Sequence, residues 1–253
     1  MFNLHTHTYR CHHASGKDEE YVIKAIENGY STIGFSDHAP YLFPNGYVSS
    51  FRILPNEAKG YAKSINSLKE KYKGKIDIKL GFELEYYPAL FEKEIEFLKT
   101  FNYDYLILGQ HYVDNEYEDY AIYSDSPTKS PAVLDKYISQ VILGAKSGYY
   151  TYVAHPDLIN FKDDSELYIK KMTYMITELK KIGIPLEFNF LGFTAKRNYP
   201  NLDFWKIVSE VGNDVVIGLD AHSPSVYDDQ ENLQKAKQIL QNLNITPLDK
   251  IEL

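Results

Sequence analysis

The first 38 residues, MFNLHTHTYRCHHASGKDEEYVIKAIENGYSTIGFSDH, contain the pattern that decides the fold. A short apolar run at Phe2–Leu4 ends in His-Thr-His, and a segment of helical period covers Glu19–Asn28. A second apolar run at Thr32–Ser36 then ends in Asp-His. This order predicts a strand, a helix and a second strand. A chain that begins in this way indicates an α/β protein, in which crossover helices join parallel strands.

The same alternation continues along the whole chain and gives seven strand-then-helix units. The further predicted strands are Ile76–Phe82, Tyr105–Leu108, Thr151–Ala154, Pro185–Phe190 and Val215–Leu219. The further predicted helices are Pro55–Lys73, Leu90–Thr100, Pro131–Ser147, Glu166–Ile182, Pro200–Val211 and Asp229–Asn242. No linker or internal repeat interrupts the pattern, and no Gly-rich dinucleotide loop follows the first strand. These features predict a seven-unit β/α barrel formed by a single domain, residues 1–253.

Composition excludes several classes of protein. The 253 residues are 44% hydrophobic and 25% charged, which is typical of a globular chain and excludes a disordered one. No apolar run approaches the roughly 18–20 residues that span a bilayer, and no secretory signal opens the chain, so we expect a cytoplasmic protein without a membrane partner. Cys11 is the single cysteine and forms no internal disulfide. The net charge of −8 argues against a nucleic-acid partner but permits a small phosphate ester.

The histidines are concentrated where a barrel places its active site. All eight lie at, or just after, the end of a predicted strand: His5, His7, His12, His13, His38, His111, His155 and His222. In a β/α barrel the carboxyl ends of the strands converge on one functional face. A single histidine in such a position is most often a surface or core residue, but eight on one face indicate a site.

The spacing of these residues indicates a metal centre. His5 and His7, and likewise Asp220 and His222, are two residues apart and project to the same side of a strand, as do Glu83 and Glu85. Imidazole and carboxylate ligands together suit zinc, iron or manganese. Seven histidines with one aspartate and one glutamate give nine candidate ligands, which is too many for one ion and enough for two or three. Neighbouring ions can clamp a phosphoryl group.

These motifs, in this order and across nearly the whole chain, resemble the PHP (polymerase and histidinol phosphatase) superfamily. The opening His-Thr-His-Thr-x-x-Cys-x-His resembles the histidinol-phosphate phosphatase branch of histidine biosynthesis. The segment Thr-x-x-Gly-Phe-Ser-Asp-His-Ala-Pro and the His-Pro-Asp-Leu at 155–158 do so as well. The resemblance implies a distorted (β/α)7 TIM-like barrel that holds three divalent ions (Zn, Fe or Mn).

The resemblance also implies how the ligands are shared. His5, His7, Glu83 and Asp220 would hold the first ion, with Glu83 bridging to a second ion held by His111 and His155. His13, His38 and His222 would hold the third ion. The Cys-x-His spacing selects His13 over His12, and the latter is expected to be a solvated loop residue. The catalytic role falls to the ligands Glu83, Asp220 and His222, together with Arg197.

Three side chains near the predicted site are candidates for substrate binding. Arg197, in the loop after the sixth strand, has a planar fork that suits a phosphate, and the alternative is an exposed loop arginine. Lys17 follows the first histidine loop and is a weaker candidate. Glu85 is either a partner of a metal ligand or a solvated strand-end carboxylate. The acidic loop at 114–119 is either a solvated turn or a feature that favours a cationic substrate.

The resulting hypothesis is a metal-dependent phosphoric monoester hydrolase, a histidinol-phosphatase that converts L-histidinol phosphate to L-histidinol and phosphate. Two alternatives are open. One is another PHP phosphoesterase acting on a small nucleotide or a phosphotyrosine, and the other is a metal-binding module without catalytic activity.

Overall fold

The computed structural model describes residues 1–253, and its centre is a nearly closed barrel of seven parallel strands. The strands follow one another around the barrel in chain order. They are β1 (Phe2–Asn3), β2 (Thr32–Phe35), β3 (Asp77–Glu83), β4 (Tyr105–Leu108), β7 (Tyr152–Val153), β8 (Leu186–Asn189) and β9 (Val215–Gly218). The predicted seven-unit barrel is confirmed, and each of its strands lies within three residues of its predicted bounds.

Helices connect successive strands and cover the outside of the barrel. They are α1 (Asp18–Glu27), α2 (Ala58–Lys71), α3 (Phe91–Lys99), α4 (Pro131–Lys146), α5 (Ser165–Ile182), α7 (Leu202–Val211) and α8 (Gln230–Asn242). The longest, α5, begins where the Asp164 side chain accepts hydrogen bonds from two backbone N–H groups, and it ends at Gly183 with φ 80°. None of the helices combines the length and the apolar character needed to cross a membrane.

Two short strands and one short α-helix were not predicted from the sequence, and neither were three 3₁₀ helices, Tyr9–Cys11, Pro44–Gly46 and Pro224–Asp228. A two-stranded antiparallel hairpin, β5 (Tyr112–Val113) and β6 (Ile122–Tyr123), follows β4 and flanks the acidic loop. The five-residue helix α6 (Phe190–Thr194) directly follows β8. Strands of two residues and a helix of five are too short to show a hydrophobic period, so only the tertiary context reveals them.

Successive apolar residues of the strands pack alternately into two different apolar clusters. The larger one lies between the barrel and its helices and includes Leu106, Leu108 and Val153. The smaller one contains the residues between them in sequence, among them Tyr105 and Ile107, and therefore fills the barrel interior. Strands buried on both faces read as continuous apolar runs, as parallel strands between two layers should.

The barrel closes at a seam between its first and last strands. No ladder of paired residues joins β1 to β9, but Thr6 and Ala221 form a parallel bridge just beyond their ends. The N–H of His7 donates to the carbonyl of Ala221 (3.0 Å), and the N–H of Ala221 donates to the carbonyl of His5 (3.1 Å). The seam is therefore made by residues within the predicted metal motifs.

Candidate metal centre

The structure brings the nine candidate ligands together at the carboxyl ends of the strands. Glu83 is the last residue of β3, and the others follow directly or shortly after strand ends. A parallel bridge pairs His38 with Glu83, so neighbouring ligands are in register across the sheet. The expected convergence of these side chains therefore follows from the parallel arrangement of the strands.

Glu83 lies at the centre of the cluster and is fully buried. Its Oε1 is 2.8 Å from His155 Nε2 and 3.6 Å from His111 Nε2. Its Oε2 is 3.1 Å from His38 Nδ1 and 3.5–3.6 Å from the Nε2 atoms of His7 and His5. One carboxylate thus faces five imidazoles, which is the arrangement that a bridging ligand requires.

Five of the seven candidate histidines have a hydrogen-bond acceptor at the ring nitrogen that faces away from the cluster. His5 Nδ1 donates to Glu187 Oε2 (2.7 Å), and His111 Nδ1 donates to Glu85 Oε1 (2.7 Å). His7 donates in the same way to Asp37, and His13 and His222 donate to the backbone carbonyls of Cys11 and Asp220. Because a carboxylate or carbonyl oxygen can only accept, Nδ1 carries a proton in each ring. The five Nε2 atoms face inward, where they become metal-binding atoms once any proton on them is displaced.

The inward-facing nitrogens of two ring pairs lie within hydrogen-bond distance of each other. His5 Nε2 is 3.1 Å from His7 Nε2, and His222 Nε2 is 2.9 Å from His13 Nε2. Two ring nitrogens at this distance need either a shared proton or a metal cation between them. Glu83 Oε2 is buried and lies 3.1 Å from His38 Nδ1 without the alignment of a hydrogen bond, although buried carboxylate oxygens are normally satisfied. This donor set fits divalent transition-metal ions.

The proton affinities of the cluster reflect the same mutual attraction. Burial works to lower the pKa of His7, but hydrogen bonds to Asp220 and Asp37 outweigh it and raise that pKa to about 9. Burial works to raise the pKa of Glu83, but the imidazoles around it, His111 foremost, hold that pKa well below its ordinary value. Burial and the charge of His7 lower the pKa of His222 to about 3. Carboxylates that attract protons to these rings attract metal cations in the same way.

Burial divides the ligands into an inner and an outer group. His5, His7 and Asp220 bring ligand atoms within 4.8 Å of one another, as do His5, Glu83 and His155, and all of these residues are buried. His13 is exposed and His222 half-buried, and both line an open cavity above the inner group. His12 is exposed, has a left-handed backbone and lies outside this cavity. The geometry therefore distinguishes the two neighbouring histidines as the motif did.

Backbone features make room for the inner carboxylates. A side chain at Gly109 would overlap the carboxylate of Glu83, and one at Gly218 would overlap that of Glu187. His155 (φ 30°) and Asp220 (φ 49°) have positive φ, which is uncommon for residues other than glycine. Such conformations persist only where surrounding contacts impose them, and they concentrate at functional sites.

The cavity above the cluster has a volume of about 480 Å³. Arg197 lines it and donates from Nη1 to the hydroxyl of Tyr199 (2.8 Å). Aromatic side chains form much of the wall, including Phe51, Tyr112 and Tyr123. An arginine beside a cluster of candidate metal ligands and an aromatic wall together suit a small anion that carries an organic group.

Lys17 and Glu85 lie outside this cavity. Lys17 is exposed and lines a separate depression between the start of α1 and α2. Glu85 is fully buried, and its Oε1 contacts His111 and Arg52, so it is a partner of a candidate ligand and not a solvated carboxylate. The acidic loop is not simply a solvated turn either, because its Glu116 is buried and pairs with Arg52.

Sequence reasoning did not identify three residues that support the site. Glu187 and Asn189 lie two apart on β8, and the side-chain amide of Asn189 donates to Glu187 and to Asp220 (2.7 and 3.1 Å). This strand repeats the alternating polar pattern of the other ligand motifs, so the pattern could have revealed the pair. Arg52 lies in a loop, and nothing in the local sequence distinguishes it from a surface arginine.

Comparison with known proteins agrees with this architecture. A protein of Deinococcus radiodurans named probable histidinol-phosphatase is 29% identical over 243 residues, which cover 88% of this chain and 87% of that protein. The histidinol-phosphatase of Bacillus subtilis is 31% identical over 118 residues, 43% of each chain. The histidinol phosphate phosphatase of Lactococcus lactis, solved with zinc, L-histidinol and phosphate, superimposes with a TM-score of 0.75. It is 20% identical, and the alignment covers 100% of this chain and 98% of that one, so it supports the fold.

The sequence profile of the PHP domain matches residues 3–190 of the 253, a span that includes β1 to β8 and seven of the nine candidate ligands. Asp220 and His222 lie beyond this span but join it through the seam between β1 and β9. Since the profile covers most of the chain and the barrel places the motif residues in one cluster, this protein belongs to the PHP domain family.

Proposed function

We propose that this protein is a metal-dependent histidinol-phosphatase, which hydrolyses L-histidinol phosphate to L-histidinol and inorganic phosphate in histidine biosynthesis. The observation that carries the proposal is the cluster of seven histidines and two carboxylates at the floor of a cavity bordered by Arg197. The relatives in Deinococcus radiodurans and Bacillus subtilis carry this activity in their names, and the Lactococcus lactis structure contains both products.

We propose three ions and the ligand sets that the family resemblance implies. His5, His7, Glu83 and Asp220 would hold the first ion, and Glu83, His111 and His155 the second. His13, His38 and His222 would hold the third, at the cavity floor. The donor set consists of imidazole nitrogens and carboxylate oxygens, and it supports zinc, iron or manganese. When bound, such ions lower the pKa of a coordinated water and offset the charge of phosphoryl oxygens.

The residues of the chain itself would orient the substrate. Arg197 borders the cavity, and its contact with Tyr199 limits the positions that the guanidinium can adopt. A guanidinium binds two phosphoryl oxygens at once and stabilises the negative charge that they carry in the transition state. The aromatic wall formed by Phe51, Tyr112 and Tyr123 would pack against the organic part of the ester and exclude water from it.

A phosphate-release assay tests this function. Purified protein reconstituted with Zn²⁺ or Mn²⁺ would be given histidinol phosphate, phosphotyrosine, a nucleoside monophosphate and an aryl phosphate. We expect the highest kcat/KM for histidinol phosphate, and we expect chelation to remove the activity. A preference for phosphotyrosine or the nucleotide would indicate a PHP phosphoesterase with a different substrate. The absence of turnover for every ester would indicate a non-catalytic module.

A further inference from the structure

One arginine near the cluster is buried without belonging to the barrel or to a helix. Arg52 lies in the β2–α2 loop (residues 36–57), and only 1% of its surface is exposed. Burying a guanidinium costs several kcal/mol unless charged partners compensate. The chain contains only three arginines among its 27 basic residues, so the burial of one of them is not a consequence of a high arginine content.

The partners of Arg52 connect it to a candidate metal ligand. Its Nε donates to Glu116 Oε2 (2.7 Å), and its Nη2 lies 2.6 Å from Glu85 Oε1. The same Glu85 oxygen accepts a hydrogen bond from His111 Nδ1 (2.7 Å). His111 is 9% exposed, and the other side of its ring faces the carboxylate of Glu83. The guanidinium is thus two contacts away from His111 and three contacts away from Glu83, the proposed bridging ligand.

Arg52 also contacts the wall of the cavity. Its guanidinium carbon lies 4.5 Å from the ring centroid of Phe51 and 5.3 Å from that of Tyr41. Phe51 lines the cavity, and its ring centroid is 5.0 Å from that of His38 and 5.9 Å from that of His111. A single side chain therefore contacts the loop that shapes the cavity and the carboxylate that orients a ligand.

We propose that Arg52 is a positioning residue that orients His111 through Glu85 and, through Glu116, fastens the β2–α2 loop beside the cavity. The inference rests on the proposed metal site. Glu85 alone could rotate about its side-chain bonds, since its Oε2 has no hydrogen-bond partner. The ion pair with Arg52 fixes the carboxylate, and the fixed carboxylate holds the proton of His111 on Nδ1, which keeps Nε2 available for an ion.

Zinc affinity provides a readout that does not depend on turnover. Purified apoprotein would be titrated with Zn²⁺ in competition with a chromophoric chelator, for wild type, Arg52→Met, Arg52→Lys and Glu85→Gln. We expect Arg52→Met and Glu85→Gln each to weaken the affected Zn²⁺ equivalent by about 10- to 100-fold. Arg52→Lys should recover part of the loss, because an ammonium keeps the charge but cannot contact both carboxylates in the same fork.

The double variant Arg52→Met/Glu85→Gln makes the test specific. If Arg52 acts through Glu85, the double variant should bind Zn²⁺ within about threefold of Glu85→Gln alone. Additive losses would overturn the inference, and so would wild-type affinity in Arg52→Met. Ile65→Ala, in the core side of α2, is the control for general destabilisation, and it should lower the melting temperature without weakening Zn²⁺ binding. If Arg52→Met does not fold, Arg52→Lys takes its place in the same cycle with Glu85→Gln.

A second measurement separates the contact of Arg52 with Glu116 from its contact with Glu85. Glu116→Gln leaves the hydrogen bond between Glu85 and His111 in place and weakens only the loop side of Arg52. We expect it to raise KM for histidinol phosphate by more than it weakens Zn²⁺ binding, and the reverse order would contradict the proposed link to the loop. Wild-type protein that binds Zn²⁺ but releases no phosphate would contradict the proposed function, while leaving the affinity cycle to decide the role of Arg52.

Discussion

Replacing the central carboxylate tests the metal centre most directly. Glu83→Gln keeps the size of the side chain and removes its charge. The Glu83 oxygens lie 2.8–3.6 Å from five imidazole nitrogens, so an ion held among them lies within about 4 Å of the carboxylate. At an effective dielectric constant of 20, two unit charges at that distance attract each other by about 4 kcal/mol. The loss of this attraction corresponds to a roughly thousandfold weaker affinity for the bridged ions, and more for a divalent charge.

The assay would combine elemental analysis of the purified variant with competitive Zn²⁺ titration and kcat at saturating metal. Glu187→Gln is the matched variant, because Glu187 is equally buried but lies behind the candidate ligands, where it accepts hydrogen bonds from His5 Nδ1 (2.7 Å), the backbone N–H of His155 (3.3 Å) and the Asn189 amide (2.7 Å). A glutamine can still accept the hydrogen bond from His5 Nδ1, so we expect a loss of at most about 10- to 100-fold there. Equal losses in the two variants, or a Glu83→Gln protein with its full metal content and activity, would refute the bridging role.

Three further predictions concern the cavity, the first histidine loop and a buried acid away from the site. Arg197→Ala should lower kcat/KM for histidinol phosphate by roughly 10- to 1000-fold without changing metal content, and Arg197→Lys should recover little; steady-state kinetics on metal-replete protein measure both. His13→Ala should lose activity and about one metal equivalent, whereas His12→Ala should keep most of its activity. Elemental analysis and kcat would be measured for both variants, and equal behaviour would contradict the assignment. Burial raises the pKa of Glu94 to about 8, so the folded state holds its proton more tightly than the unfolded state, and the free energy of unfolding should fall as the pH rises from about 4.5 to 8. In wild type the free energy of unfolding should fall by an amount on the order of 3 kcal/mol over this range, and Glu94→Gln should remove that fall. Urea melts of both proteins across the range measure it, and the same dependence on pH in both would contradict the reasoning.

The barrel was predictable because its strands and helices differ in period and because turn residues separate them. Gly183 after α5 and Pro131 at the start of α4 mark boundaries that local chemistry determines. The hairpin of β5 and β6 was not predictable, because each strand has two residues and pairs only with the other. The start of α7 at Leu202 in place of Pro200 reflects the Asn201 side chain, which caps the helix.

The candidate ligands were predictable for a different reason, since strand ends in a parallel barrel meet in space whatever their separation in sequence. Their supports divide into two kinds. Glu187 follows the alternation of a strand and carries a visible signal, a charge inside an apolar run. Arg52 and Glu116 come from two loops, and their pairing depends on loop conformations that no period in the sequence specifies.

The seam between β1 and β9 determines when the site can assemble during synthesis of the chain. His5 and His7 are synthesised before the rest of the site, and the backbone that holds them beside Asp220 belongs to residues made more than 200 positions later. At 5–20 residues per second, that interval is on the order of ten to forty seconds. During synthesis the early histidines therefore exist as an incomplete chelating motif, and the site is assembled only when the last strand reaches the first. Under the proposed ligand sets, the full set of ions could therefore bind only after β9 and the residues that follow it have been made.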